Sequence, residues 1–514
     1  PIPGTSTTGV LAGVYTANGR QQLELSFGYN QYQLQYRYLA HGIVDWVTKG
    51  VHFGYWRNYF TVHIDDVFNA DAIWSTAGDC TPGADTCPPG TPDTTPARMV
   101  PADVTAVANW EKANNFTLDM LYNGGAEANF VVNGKDPLLT ALQQAKNSFR
   151  WVNHTYSHEF LGCQQDFSVF PWKCVTDASG NTVWVSSADI NSQIGDNIKW
   201  AQQHGFPVNR GELVAGEHSG TLILPQQPID NPNFDGALGG QGVKFTGLDA
   251  SREPAMRPVG AAYGLPRHPV DVYYNVSTVA EEVSEYNWIY TSKANGGSGI
   301  CETTPGVSCI APLDPATGWS SYILPLQQKI MLGFVVSNDE RPFYMHQPNL
   351  TDDRLTLSVL TGVLHTYRGV YTHATPVVNG RMIDAGDAML AQNTWAQTES
   401  AGTVSGYVQG DTVTITGPAG TQIPFTAPNG TTIGSASGSA FGAAYGGERS
   451  NYLTQQTTGS YGLVLKTTPY TSAATPTASA PKVAASKPLA PNTSAAKKAV
   501  AKSATPAMAP VTGN

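Results

Sequence analysis

The chain has 514 residues, of which 41% are hydrophobic and 13% are charged, with a net charge of −10 at pH 7. That length allows about three domains, the acidic balance disfavours a nucleic-acid-binding protein, and no apolar run approaches the ~18 residues of a transmembrane helix. Its 52 glycines and 35 prolines predict long loops between the elements of secondary structure.

The first 55 residues predict a small α/β segment. Val10–Tyr15 is apolar, Leu23–Phe27 alternates, and the Asn18-Gly19 pair between them is a strong signal for a β-hairpin. A helix is predicted over Tyr32–Val47. The segment is small for a domain, and one interpretation is that it is the end of an upstream domain whose start is missing.

Residues 56–395 predict one large domain in which strands alternate with helices and long insertions. The predicted strands, in chain order, are Tyr59–Ile64, Phe116–Tyr122, Phe149–Asn153, Glu212–Ala215, Val243–Leu248, Asp271–Val276, Ile330–Val336 and Phe343–Met345. The predicted helices include Ala102–Ala113, Pro137–Lys146 and Ala188–His204. Repeated βα units predict a parallel sheet, either open or closed into a barrel. In such barrels the chemistry lies at the carboxyl ends of the strands.

Two further regions follow. Residues 396–470 are rich in Gly, Thr and Ser and contain alternating strands such as Thr412–Ile415 and Leu463–Lys466, which predict a small all-β module. Residues 471–514 are almost only Ala, Pro, Ser, Thr and Lys, and their five lysines leave the rest of the chain at −15. We expect this tail to be disordered; it could be a linker, a basic tether to an anionic surface or a cloning remnant.

The six cysteines fall in three local pairs in polar stretches that contain Pro or Gly: Cys80/Cys87, Cys163/Cys174 and Cys301/Cys309. No His lies at zinc-finger spacing from them, so short-range disulfides are the natural interpretation, although the spacing does not fix the pairing. Disulfides indicate a secreted or cell-surface protein. Nothing in the sequence indicates an obligate dimer, and we expect a monomer.

The strongest chemical signal directly follows the predicted strand Phe149–Asn153. There the motif H-T-Y-S-H places His154 and His158 four residues apart. Two histidines at this spacing share one side of a helical turn, so we expect a helix to begin here and both imidazoles to reach one metal ion. The alternative is that both are surface or hydrogen-bonded histidines.

The second signal is a hydrophobic strand that ends abruptly in two carboxylates, Asp65 and Asp66. An Asp-Asp pair alone has little meaning, since residues 352–353 supply another, and a helix or loop cap is the alternative. We expect this strand to be parallel and adjacent to the strand that ends at His154, so that one carboxylate binds a metal and the other acts as a base toward water. One Asp with two His leaves open coordination positions and suits Zn²⁺, Co²⁺ or a similar divalent ion, of which we expect zinc.

The two motifs resemble those of the polysaccharide deacetylases, the NodB-homology, metal-dependent carbohydrate esterases. The first motif of that family ends a strand in Asp-Asp and the second is H-[ST]-x-x-H, and the resemblance covers roughly residues 60–350. It implies an α/β fold, a distorted (β/α) barrel followed by the small all-β C-terminal module. It also implies that Asp65 is the general base and that Asp66, His154 and His158 are the metal ligands.

Within this family the chain is most similar to the secreted galactosaminogalactan deacetylases of moulds and their bacterial relatives. The similarity lies in the cysteine-containing insertions, the Val-His-Ile-Asp-Asp-Val-Phe context and the β module. It implies a secreted enzyme that removes acetyl groups from N-acetylhexosamine residues, N-acetylgalactosamine above all, of an exopolysaccharide such as that of a biofilm. The partners would be that N-acetylated polysaccharide and a divalent metal, with no nucleic acid.

The chain departs from the family at the third motif, where an Arg followed by Pro and Tyr is usual. In its place residues 216–220 read G-E-H-S-G, which we call the third-motif segment. His218 or Glu217 could take the part of that Arg or line the sugar site. Arg252 is the best alternative arginine, and Asp249, which ends the next predicted strand, could stand for the fourth-motif acid of the family. A packing or turn role is an equal alternative for Asp249 and Arg252.

The last motif of the family places a His at a late strand end as general acid. The strand Phe343–Met345 closes on His346, which we prefer for this role over His63, His218 and His268 because it alone ends a strand in the expected place. The alternative is a core histidine whose ring is satisfied by the backbone.

Two other functions compete with the deacetylase. Because the third motif is altered, the chain could be a catalytically weak or inactive carbohydrate-binding or adhesion protein on the same fold, although a dead site need not keep Asp65. A zinc peptidase or amidase is disfavoured because no H-E-x-x-H motif is present.

Overall fold

The computed structural model describes residues 6, 8–28, 33–169, 171–455 and 459–466, so the predicted tail 471–514 lies outside the described residues. The strands are β1 Ala12–Ala17, β2 Arg20–Leu25, β3 His52–Phe53, β4 Val62–Val67, β5 Asp119–Tyr122, β6 Arg150–Asn153, β7 Gln165–Asp166, β8 Lys173–Cys174, β9 Val208–Leu213, β10 Phe245–Asp249, β11 Arg257–Val259, β12 Ala262–Pro269, β13 Phe343–His346, β14 Ser405–Gln409, β15 Thr412–Gly417, β16 Gln422–Pro428, β17 Thr432–Ile433, β18 Ala443–Tyr445, β19 Glu448–Thr454 and β20 Gly459–Val464. The α-helices are α1 Leu34–Thr48, α2 Pro101–Asn114, α3 Pro137–Ala145, α4 Ser187–Gln203, α5 Pro232–Gln241, α6 Val279–Tyr290, α7 Ile300–Thr303, α8 Leu324–Val335, α9 Leu355–Val370 and α10 Met382–Ser400. No described helix is long and apolar enough to cross a membrane.

The described residues divide into two units. One, the barrel unit, is Trp56–Gly402. The other, the β unit, combines the described residues up to Tyr55 with those from Thr403 onward.

Seven strands of the barrel unit form a closed parallel barrel. Their order is β10-β9-β6-β5-β4-β13-β12, and the pairing of β12 with β10 closes the ring. Each neighbouring pair is parallel, and the short strand β11 adds to β12 in antiparallel orientation. Helices pack against the strands, including α4 on β6 and β9 and α5 on β12. The predicted (β/α) barrel is therefore confirmed.

The barrel strands are buried on both faces, and this explains their composition. Val62 and Ile64 of β4, Met120 of β5, Leu248 of β10 and Met345 of β13 are all fully buried. Parallel strands covered by helices read as continuous apolar runs rather than as alternating ones. Charged residues that interrupt such a run, above all at the end of β4, must therefore be held by partners inside the protein.

Two of the predicted strands are wrong. Residues 271–276 form no strand, and most of the predicted strand Ile330–Val336 lies in helix α8. The seventh barrel strand is instead β12, which contains Gly264, Pro266 and Pro269. Glycine and proline are unusual inside strands and favour a loop assignment. A short apolar run such as 330–336 cannot be assigned to strand or helix by periodicity alone.

The β unit contains the predicted hairpin and two four-stranded antiparallel sheets. β1 and β2 pair across Asn18 and Gly19, whose positive φ angles (51° and 73°) suit a two-residue hairpin turn. The sheets have the orders β14-β15-β20-β17 and β18-β19-β16-β3. Because β3 pairs with β16, the N-terminal segment and the C-terminal β module, predicted as separate segments, belong to one unit. Helix α10 also extends to Ser400, past the predicted start of the module at residue 396.

Three disulfides confirm the predicted local cysteine pairs: Cys80–Cys87, Cys163–Cys174 and Cys301–Cys309. All three lie in connections of the barrel unit rather than in barrel strands. The second packs in a small apolar cluster with Trp172 and Ile223. This insertion is therefore ordered by a core of its own beside the barrel.

Asn197 of α4 holds that helix to the ends of two barrel strands. Its amide donates to the Tyr122 carbonyl (2.8 Å) and to Asn153 Oδ1 (2.7 Å), and its Oδ1 accepts from the Gly124 N–H (2.8 Å). We expect Asn197→Ala to leave these buried groups unpaired and to lower the free energy of unfolding by about 2–4 kcal/mol, measured by urea unfolding. Lys199→Ala, exposed on the same helix, is the matched control and should change it by less than about 0.5 kcal/mol. Equal losses in the two variants would contradict the role of Asn197.

Candidate metal centre and active site

The predicted site residues meet at the carboxyl ends of three barrel strands. Asp65 and Asp66 lie at the end of β4, His154 directly follows β6, and His346 ends β13. β13 and β4 are neighbours, with His346 paired to Asp65. β4 and β6 are not adjacent as predicted, because β5 pairs with both and lies between them. The side chains still meet because the strand ends of a closed barrel surround one opening.

Both carboxylates of β4 enter the site, although consecutive side chains of a strand normally point to opposite faces. The pairing of β4 with β5 shifts register between Ile64 and Val67, and Asp66 has a φ of +66°. A bulge of this kind redirects side chains. Asp65 and Asp66 are only 3% and 7% exposed, so each needs a charged or hydrogen-bonding partner.

Asp66 faces the two histidines of the second motif. Its Oδ1 lies 3.4 Å from His154 Nε2 and 3.0 Å from His158 Nε2. The two imidazole centroids are 5.0 Å apart. Burial alone would raise the pKa of Asp66, but the His158 and His154 imidazoles hold it well below its usual range. One ligand atom from each of the three residues can lie within 4.8 Å of the others, close enough to share an ion.

The predicted helix at the second motif is wrong, because residues 154–158 form a loop. Thr155 (φ +68°) and His158 (φ +60°) adopt left-handed conformations, which are rare for a β-branched residue. The side chain of Asn153 holds this loop by accepting a hydrogen bond from the Thr155 N–H at 2.9 Å. The two imidazoles therefore converge through loop conformation and not through helical spacing.

The donor set fits a divalent metal ion. His154 Nδ1 donates to the Val214 carbonyl at 2.8 Å, which leaves the lone pair of Nε2 on the side of Asp66, as is usual for a metal-ligating histidine. A Cβ on Gly216 would lie 2.8 Å from the His158 ring, so glycine at this position makes room for that imidazole. Two imidazoles and one carboxylate with open positions are typical of a catalytic zinc site.

Asp65 is held by an arginine that the sequence did not reveal. Arg267 of β12 is fully buried and donates from two guanidinium nitrogens to the two carboxylate oxygens, at 2.8 and 2.9 Å. Burial would raise the pKa of Asp65, but the Arg267 charge and nearby imidazoles outweigh it and hold the pKa well below its usual value. Asp65 is therefore an oriented carboxylate. Arg252, the predicted alternative, instead pairs with Asp249 at 3.3 Å.

The signal for Arg267 becomes visible only once β12 is recognised as a strand. β12 reads A-Y-G-L-P-R-H-P, and a charge in a buried, mostly apolar strand requires a partner. No acid lies in β12, so the partner has to come from another part of the chain. Without the strand assignment, Arg267 looks like an ordinary loop residue.

The third-motif segment supports Arg267 and does not replace it. His218 is buried, and its Nε2 accepts a hydrogen bond from Arg267 Nη2 at 2.6 Å. Burial holds the pKa of His218 well below its usual value, which keeps the ring neutral and able to accept. Glu217 is exposed in the same turn, and its contact with the sugar stays a prediction. Asp249 accepts from the Ser251 N–H and hydroxyl, which is the turn role left open for it.

His346 lies beside the two carboxylates, as predicted from its place at a strand end. Its Nε2 is 4.0 Å from Asp66 Oδ2. The rings of Tyr274 and Tyr344 lie 5.8 and 5.9 Å from the imidazole, centre to centre. Burial lowers the pKa of His346. The position suits proton transfer at the site, and the role of general acid stays a prediction.

The two other competing histidines have partners away from the metal ligands. His63 is fully buried, with Nε2 3.3 Å from Asp119 Oδ2. His268 Nε2 lies 3.1 Å from Asp339 Oδ2, and its ring stacks on Phe334 at 3.9 Å. Both therefore have structural contacts of their own.

Comparison with known proteins supports this fold. No family model and no curated protein matches the chain. Among solved structures, Agd3, described as a novel carbohydrate deacetylase, matches 90% of this chain and 73% of its own, with a TM-score of 0.66 and 16% identity. A proposed polysaccharide deacetylase from Mycobacterium smegmatis matches 56% of this chain and 78% of its own at 11% identity, but its TM-score of 0.31 is too low to support an argument. The chain thus has the fold of a carbohydrate deacetylase, and the resemblance drawn from the two motifs is confirmed at the level of the fold.

The different partners of the two aspartates predict different effects of removing their charge. Asp66→Asn should lose the metal ion of this site, because the carboxylate ligand becomes a weakly binding amide. Asp65→Asn should keep it, because Asp65 is bound to Arg267. Zinc content of the desalted full chain, measured by mass spectrometry, should be one ion per chain lower in Asp66→Asn. Equal zinc contents in the two variants would contradict the assignment of ligand and base.

Proposed function

We propose that this chain, which has the fold of a carbohydrate deacetylase, is a metal-dependent hydrolase that removes acetyl groups from N-acetylhexosamine residues of an exopolysaccharide. The observation that carries the proposal is the bidentate Asp65–Arg267 pair beside the cluster of Asp66, His154 and His158. A purely structural metal site would need neither an oriented carboxylate that is not a metal ligand nor open coordination positions. Hydrolysis of an amide needs both.

Asp66, His154 and His158 would hold the divalent ion, for which Zn²⁺ is best suited, and which when bound polarises the acetyl oxygen and makes a nearby water acidic. Asp65 takes a proton from the attacking water. Because Arg267 fixes both oxygens of Asp65, the carboxylate needs little reorganisation to accept that proton. The depressed pKa makes Asp65 a weak base, which suits transfer from an acidified water rather than from bulk water.

His346 completes the reaction from the neighbouring strand. The water oxygen bonds to the amide carbon, the C–N bond breaks, and the amine leaves with a proton that His346 donates. The products are acetate and a free amino sugar. Burial lowers the pKa of His346, which makes its imidazolium a stronger acid but confines that protonated form to lower pH.

The proposal extends to the sugar, to the location of the protein and to its oligomeric state. N-acetylgalactosamine is the first sugar to test, because the sequence context of the motifs resembles that of galactosaminogalactan deacetylases. Three local disulfides are typical of proteins outside the reducing cytosol, which supports secretion or attachment at the cell surface. A monomer suffices, because all the residues of the site belong to one chain.

A catalytically weak or inactive carbohydrate-binding protein is the alternative. The altered third motif was its main support. Arg267, however, contributes from β12 an arginine that binds Asp65. With the base oriented in this way, the altered motif no longer argues against catalysis.

Acetate release from N-acetylated polymers tests the function. We expect the full chain with Zn²⁺ to release acetate from partially N-acetylated polygalactosamine faster than from an N-acetylglucosamine polymer, and to stop when a chelator is added. Asp65→Asn should lower kcat by about 100-fold or more, because a positioned general base contributes ~10²–10⁴-fold. A wild-type protein that binds the polymer but releases no acetate would establish the carbohydrate-binding alternative.

Arg267 and Arg252 form a matched pair that tests which arginine positions the base. Arg267→Met should lower kcat by up to about 100-fold with little change in KM or bound zinc, because it releases Asp65 without touching the ligands. Arg252→Met should leave kcat nearly unchanged. Should Arg267→Met fail to fold because Asp65 is left unpaired, Arg267→Lys keeps the charge but loses the bidentate geometry and tests the same point. A loss confined to KM or to zinc content, or an equal loss in Arg252→Met, would be evidence against the positioning role.

A further inference from the structure

A second cluster of metal-binding residue types lies in the β unit, outside the site already described. His41 and Asp45 are one helical turn apart on α1, His52 begins β3, and Glu448 begins β19. Ligand atoms of His41, Asp45 and His52 lie within 4.8 Å of one another. This cluster could not be predicted from the sequence, because Glu448 is some 400 residues from the other three and belongs to no recognisable motif.

The contacts within the cluster are close, and Glu448 joins it through His41. His41 Nε2 lies 3.1 Å from each of the two Glu448 carboxylate oxygens and 3.4 Å from Asp45 Oδ2. His52 Nδ1 lies 3.7 Å from Asp45 Oδ1. In a tetrahedral zinc site with bonds of 2.0–2.1 Å, neighbouring ligand atoms are about 3.3 Å apart. The separations of His41 from Glu448 and Asp45, and of His52 from Asp45, scatter around that value.

The protein groups alone do not balance this cluster. One Nε2–H of His41 faces two carboxylates, and it can donate fully to only one of them. Glu448 is only 5% exposed, yet in the described part of the chain no lysine or arginine forms an ion pair with Glu448 or Asp45. Asp45 Oδ1 is buried and has no hydrogen-bond partner among the described residues. Among the described residues, the only positive charge paired with these two carboxylates is that of His41 and His52 when their rings are protonated.

We propose that His41, Asp45, His52 and Glu448 bind a divalent metal ion of the zinc class. His41, Asp45 and His52 are close enough to share an ion, and Glu448, which lies against His41, would supply the fourth ligand; four protein ligands are typical of a structural site. The ion would join α1, β3 and β19, whose strands belong to the β18-β19-β16-β3 sheet. Its binding would therefore stabilise the link between the N-terminal segment and the C-terminal β module.

Zinc stoichiometry of the full chain tests this proposal independently of any enzymatic activity. After equilibration with Zn²⁺ and desalting, we expect two zinc ions per chain in the wild type, one in His52→Ala, one in His154→Ala and none in the double variant. His373→Ala, which removes an exposed histidine of the barrel unit, is the matched control and should keep two. A wild type with one zinc ion and a His154→Ala variant with none would overturn the proposal.

A second variant and a Co²⁺ spectrum distinguish loss of a metal ligand from loss of folding, which would also lower the zinc content. Glu448→Gln keeps the size of the side chain and should bind one zinc ion while its circular dichroism matches that of the wild type. Co²⁺ added to His154→Ala should give the visible absorption of a four-coordinate site, and Co²⁺ added to His154→Ala/Glu448→Gln should not. A well-folded Glu448→Gln protein that still binds two zinc ions, or a Co²⁺ spectrum unaffected by it, would also overturn the proposal.

Discussion

The candidate active site depends on one buried ion pair, that of Asp65 with Arg267. A carboxylate so little exposed can stay ionised only if a positive charge lies against it. Arg267 is itself held on several sides: His218 accepts from its Nη2, and its guanidinium carbon lies 4.4 Å from the centre of the Tyr344 ring. Because this pair is neutral as a unit, the carboxylate of Asp66 is left to face His154 and His158.

Further polar side chains in the barrel interior connect the Asp65–Arg267 pair to a second arginine–aspartate pair. Arg267 Nη1 lies 3.4 Å from His63 Nδ1, His63 Nε2 lies 3.3 Å from Asp119 Oδ2, and Arg150 hydrogen-bonds to Asp119. Burial lowers the pKa of His63, so the row consists of two arginine–aspartate pairs bridged by a neutral imidazole. Its members come from β12, β4, β5 and β6. The ion pairs and close polar contacts of this row stabilise β12 as a barrel strand despite its prolines.

The three candidate metal ligands could be identified from the sequence because they belong to two short motifs. Asp66, His154 and His158 lie together in the structure although residues 154–158 are not helical as predicted. Arg267 could not be predicted, because its meaning depends on the register of β12 with the rest of the barrel. The left-handed backbone of Asp66, Thr155 and His158 was equally hidden, since such strain is held by surrounding contacts and not by local sequence preference.

Histidine and acidic side chains come together at two places in this chain. The two proposed metal sites differ in the number of protein ligands, and this difference predicts different roles. The candidate set at Asp66 has three protein ligands and leaves positions for water and substrate. The proposed set at His41 has four protein ligands and leaves none. An ion held by four ligands from α1, β3 and β19 should exchange more slowly than an ion held by three. Loss of activity that follows chelation quickly would then report the barrel site, and a slower loss of stability would report the β unit. Chelation of the whole protein is therefore informative only when its two phases are resolved in time.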